Sequence, residues 1–141
     1  MRVLVIVKAS PESEAGGPPD ERMMAEMGRF NEELVHAGVM LAAEGLKPSS
    51  AGVRVRFSGT ERSVVDGPFT EAKELVAGFW LWEVRSMAEA VEWARRCPNP
   101  MPGGGELEIR PVWGDDELEA LMTPELREQE ARLREATGQA S

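Results

Sequence analysis

Tyrosine is absent from these 141 residues, cysteine and histidine occur once each, and aromatic residues make up only 6%. Each scarcity closes a route. Without tyrosine there is no tyrosyl acid. Cys97 cannot form an internal disulfide, and with no ligand cluster around it in sequence a reducing cytoplasm is the expected setting. His36 stands alone, so no His/Cys cluster has metal-ligand spacing, and no Gly-x-Gly-x-x-Gly or Walker loop is present. Neither a cofactor nor a metal is expected. No apolar run reaches the roughly 18 residues of a membrane span. The apolar start, Val3 to Val7, is too short for a signal-peptide core, and Lys8 closes it without a cleavage pattern. Positive charge is the minority, with 16 bases against 25 acids for a net −9. That balance disfavours nucleic acid and anionic membrane, and the Arg54/Arg56 stripe is too small to reverse it.

What is present describes a globular chain, 42% hydrophobic and 29% charged. Its length fits one domain, read as residues 1–113, with a helical tail over 114–141. Residues 2–8 are a Val/Ile run without alternation, an interior strand covered on both faces. Ala9 to Pro19 reads as a loop, and Asp20 caps a helix whose stripe is Met23, Met27, Phe30 and Leu34. Ala37-Gly38 ends it. Val39–Ala43 is a short strand. Val53, Val55 and Phe57 alternate with Arg54 and Arg56, and residues 62–65 return as the hairpin mate. Residues 76–84 form the strongest strand, with Phe79 and Leu81 pointing one way and Trp80 and Trp82 the other. Ser86 and Glu89 have capping-box spacing for a helix that Cys97-Pro98 stops. Leu107 and Ile109 mark the last strand, an edge by its Pro111. Thr123-Pro124 opens the tail helix, which ends at Gly138.

Without the hairpin, the order is βαββαβ, the ferredoxin-like split-βαβ arrangement of an α+β fold. It places strands 2–8 and 76–84 in the middle of an antiparallel sheet, the two runs that already look covered on both faces. The helices cover one face only. A second copy is the simplest cover for the other, so a homodimer through the helix-free sheet face is expected.

Between the hairpin and strand 76–84 lies Asp66-Gly67-Pro68-Phe69, a turn signal with a mechanism. With Glu71, Lys73-Glu74 and Gly78-Phe79 after it, and Gly45-Leu46 and Pro48 before it, this stretch resembles the DGPF-type proteins of the YCII-related family. The resemblance extends over roughly residues 2 to 113. It implies a dimeric α+β barrel, pairing through the sheets. Relatives with that barrel include small-molecule isomerases, monooxygenases and dechlorination-associated proteins. Some DGPF-type members lie beside, or are fused to, alternative sigma factors, which implies a regulatory setting. The YCII branch carries a His and an Asp in a cleft, its histidine in the middle of the first helix. Here the residues around Met27 and Gly28 include none, and His36 falls two turns later.

The candidate residues each have two readings. Asp66 is either a general base at a strand end or an acceptor for its own turn. His36 is either its proton-exchanging partner or a cation favoured by a helix C-terminus. Glu71, Lys73 and Glu74 line a pocket mouth or are simply solvated, and Phe69 belongs to the same corner. Trp80 and Trp82 stack on a flat ligand between facing sheets or form the core of the dimer interface. Two functions follow. One is a non-catalytic, small-molecule-binding homodimer. The other is a cofactor-independent isomerase or lyase with Asp66 as base and His36 or an arginine as electrophile.

Overall fold

The computed structural model describes residues 1–101 and 103–138, the Lys73 side chain excepted. Six strands and five helices run in the order β1 (Arg2–Lys8), α1 (Pro11–Glu14), α2 (Glu21–His36), β2 (Met40–Gly45), β3 (Val53–Ser58), β4 (Glu61–Asp66), β5 (Val76–Glu83), α3 (Met87–Arg95), β6 (Leu107–Pro111), α4 (Asp115–Glu119) and α5 (Pro124–Thr137). The fold is α+β. A four-stranded antiparallel sheet has the order β2-β5-β1-β6, and β3 and β4 make a separate two-stranded sheet. The two apolar runs are the central strands, as the βαββαβ order predicts. None of the described helices is long and apolar enough to cross a membrane.

Register fixes the faces. Val3 pairs with Trp82 and Val5 with Trp80, so these four side chains share one side of the sheet. All four are buried, together with Phe30 and Leu34 of α2 and Ala90 and Trp93 of α3. Phe30 meets Trp80 and Trp82 edge-on, with ring centroids 6.0 and 6.3 Å apart. The other side carries Leu4, Ile6, Phe79 and Leu81, which are half-buried.

This corrects the placing of the tryptophans. Trp82 is 0% exposed and Trp80 5%, both beneath α2. Neither can meet a second copy through the helix-free face, where Phe79 and Leu81 stand instead. Two bulky residues on each face made the two sides indistinguishable in the sequence. The helix stripe settles it, because Phe30 is long enough to reach both indoles.

Smaller differences have local causes. Ser10 caps α1, a single turn where a loop is expected, through a bond from Ser13 N–H of 3.1 Å. At α3, Ser86 Oγ accepts from Glu89 N at 3.2 Å, but the returning Glu89 carboxylate takes the Arg85 amide at 2.7 Å instead of that of Ser86. That backbone bond is the main reason the Glu89 carboxyl lies below its usual value, with the Arg85 guanidinium adding to it. The tail is two helices, α4 and α5, tied together by Arg134 to Asp115 at 3.1 Å and by Arg127 Nε donating to Glu119 O at 3.0 Å.

The corner before β5 is tightly packed. Gly67 N donates to Gly52 O at 2.9 Å, and Phe69 N donates to Ser49 Oγ at 3.0 Å. Ser49 in turn donates through its amide and hydroxyl to the Glu14 carboxylate of α1. A Cβ at position 67 would lie 1.8 Å from Ser49 O, so only glycine fits. Gly67→Ala should therefore destabilise the chain by about 1–3 kcal/mol or more. Urea denaturation followed by tryptophan emission measures this, and an unchanged midpoint would refute it.

Candidate functional site

Among the cavities formed by described residues, the one best furnished for a ligand opens between α2 and the sheet at the β2/β5 end. It encloses about 370 Å³, within the size range of small-molecule sites. Met27 and Asn31 line it from α2, Val7 from β1, Ala43 to Gly45 from β2, Ala77 to Trp80 from β5, and Pro100 and Met101 from the following loop. The helical period explains the α2 wall, since residues four apart share a face. Gly78 is narrow by necessity: a Cβ there would lie 2.9 Å from Glu44 O on the neighbouring strand.

One polar contact organises the cavity. Trp80 Nε1 donates to Asn31 Oδ1 at 2.9 Å, which fixes the indole and leaves the Asn31 amide nitrogen as a donor. Trp82 has no such partner, and its buried Nε1 finds no acceptor among the described residues. The remaining lining is apolar or soft, chiefly Met27, Met101 and the Trp80 ring. Among the described lining residues, Glu44 is the sole ionisable one.

Sequence reasoning missed Asn31 and Met101. Asn31 had a signal, as a polar residue one turn beyond Met27 and beside the apolar stripe. Met101 had none, because a loop has no periodicity to read. Met101 is nevertheless buried, and its amide donates to Asn99 Oδ1 at 3.1 Å.

The predicted residues are dispersed. Trp80 is in the cavity, but Trp82 lies deeper and does not line it. Asp66 is exposed at the end of β4 and lines none of the cavities described here. Phe69 is covered by Arg54, whose guanidinium carbon sits 3.8 Å from the ring centroid. The Lys73 side chain lies outside the described residues. His36 is exposed in the last turn of α2, just before the start of β2, whereas Asp66 sits beyond the other end of that strand. Six residues of β2 separate them, roughly 20 Å. The structure does not bring Asp66 and His36 together.

Two other hollows are less suited to a ligand. One, of about 600 Å³ beside α3, is lined largely by charges already engaged, Arg85 with Glu89 at 3.3 Å and Arg96 over Trp93 at 3.9 Å, with Glu92 beside them. The other, of about 340 Å³, is formed by Cys97 and the loop before β6. Among the described residues no group of three or more His, Cys, Asp or Glu is arranged to hold a metal ion.

Burial raises the Cys97 thiol to about 11 from 9.0, so it stays protonated well above neutrality. A raised folded-state value means that the native thiol holds its proton while the unfolded one loses it. Stability should therefore fall as pH rises from 9.0 towards 11. At pH 8 iodoacetamide should label the folded chain slower than the unfolded chain by on the order of a hundredfold, following the thiolate fraction. Equal labelling rates would show the thiol to be unperturbed.

A family model for the YCII-related domain matches residues 1–114. An uncharacterised protein of Rhizobium meliloti (strain 1021) is 38% identical over 93 residues, covering 66% of this chain and 75% of that protein. The chain belongs to the YCII-related family.

Proposed function

We propose that this chain is a non-catalytic homodimeric module that binds a small, largely apolar molecule in the cavity between α2 and the sheet. The observation that carries this reading is the Trp80–Asn31 pair: a fixed aromatic surface beside one orienting amide, in a lining with a single ionisable residue. Acid–base chemistry at such a site needs a second polar group within hydrogen-bond reach of the first. Among the described lining residues Glu44 is the only candidate for the first, and Asp66 and His36 are elsewhere. A flat ligand gains instead by stacking on the indole and accepting from the Asn31 amide. Sensing suits this lining better than turnover does.

The pairing surface is the helix-free face, where Leu4, Ile6, Phe79 and Leu81 present an apolar centre. Charges rim it, with Lys8 and Glu108 paired at 3.2 Å. An apolar core inside a polar rim is the anatomy of a protein interface.

Two outcomes test these statements separately. A panel of neutral aromatic metabolites should include compounds that raise the melting temperature and quench Trp80 emission. Met27→Arg, which fills the cavity with a charge, should abolish the shift while leaving the unliganded melting temperature within a few degrees. A compound that still binds this variant would move the site elsewhere. For the pairing, the 15.5 kDa chain should sediment as a dimer at micromolar concentration, and Leu81→Glu should dissociate it. A wild-type monomer would remove the pairing.

A further inference from the structure

Trp80 decides which way the Asn31 amide points. An indole N–H can only donate, so the Asn31 atom that meets it at 2.9 Å has to be the oxygen. The amide nitrogen, with its two hydrogens, is left on the other side. It meets no acceptor among the described residues, and Asn31 is half-buried in the cavity wall. Val7, Met27, Pro100 and Met101 carry no side-chain donor, and the Trp80 donor is already engaged.

Glu44 does not balance this donor. It lines the cavity from the edge strand β2, but register pairs it with Phe79, whereas Ala43 pairs with Trp80. Its side chain therefore leaves the sheet on the helix-free side, away from the indole. Among the described lining residues, Asn31 Nδ2 is the free side-chain donor, and no charged oxygen faces it from the α2 side.

We propose that Asn31 is a specificity-determining residue, oriented by Trp80 so that the cavity selects neutral aromatic molecules with a hydrogen-bond acceptor on the ring rim and rejects aromatic amines. The aryl ketone is the simplest member of the selected class. This inference rests on the small-molecule cavity proposed above and names the class of molecule that it takes. A plain hydrocarbon covers the same donor and leaves it unpaired, which costs more than a made bond gains. An ammonium group brings donors to a donor and loses its hydration among Met, Val and Trp side chains. The field of the whole chain runs the other way, since a net charge of −9 attracts cations. A preference for ketone over amine therefore has to come from the local amide.

Three bicyclic probes of similar size test this: indanone with its carbonyl, indane with neither donor nor acceptor, and aminoindane as its ammonium ion. Saturation-transfer NMR titrations of the full chain, at neutral pH and about 0.15 M salt, give the affinities. On wild type the ketone should bind about fivefold tighter than indane, and the amine should bind weakest. Asn31→Asp keeps an oxygen for Trp80 but replaces the free donor with a second acceptor, so the amine should now bind first. A residue that only shapes the cavity would change all three affinities together. The wild-type order retained in Asn31→Asp overturns the selection. Equal affinities on wild type, all abolished by Met27→Arg, overturn it too and leave the cavity standing. Should none of the three bind, the selection is overturned, and the wider aromatic panel decides separately whether the cavity takes a ligand. One readout needs no variant. In isotope-labelled wild type, the Asn31 side-chain amide protons should move downfield with indanone and stay in place with aminoindane. Unmoved protons at saturating indanone refute the contact.

Discussion

Val5 faces Trp80 across the centre of the sheet and Val3 faces Trp82, and the register of that pairing decides which residues the helices cover. A slip of one residue would turn both tryptophans to the bare side and bring Phe79 and Leu81 beneath α2. Phe30 fits edge-on against both indoles. The cavity inherits its back wall from the same register, since Gly78 and Trp80 reach it as alternate residues of the same strand face. Site and core are thus two ends of one packed surface.

The sheet was legible because strand position leaves a mark. Runs 2–8 and 76–84 lack alternation because both of their faces carry apolar residues, and they are the two central strands of the sheet. Arg54 and Arg56 between Val53, Val55 and Phe57 gave the hairpin away by the opposite sign. What escaped was facing. Trp80 and Trp82 alternate with Phe79 and Leu81, and hydrophobicity does not say which pair meets a helix. The short helix at Pro11–Glu14 escaped because one turn carries no period. Asn31 was marked by its place beside the apolar stripe, but its partner Trp80 lies 49 residues away in sequence. Met101 was hidden in a loop.

The Asp-Gly-Pro-Phe stretch, the strongest mark in the sequence, is used for architecture in this structure. Gly67 is there because backbone oxygen leaves no room for a side chain, and Phe69 because it lies under Arg54. Asp66 ends β4 opposite Val53, at the root of the β3–β4 hairpin.

Ser49 shows how narrow such an attachment is. A hydroxyl has one proton and two lone pairs. Here the proton goes to the Glu14 carboxylate, and a lone pair receives the Phe69 amide. The polarity therefore runs one way, from the amide after Pro68 through the serine to an acid in the first helix. A methyl at that position would orphan donor and acceptor at once, and an ammonium would serve the acid but leave the amide nothing to bond. Three segments far apart in the chain are held in phase by a group that must give and receive at the same time.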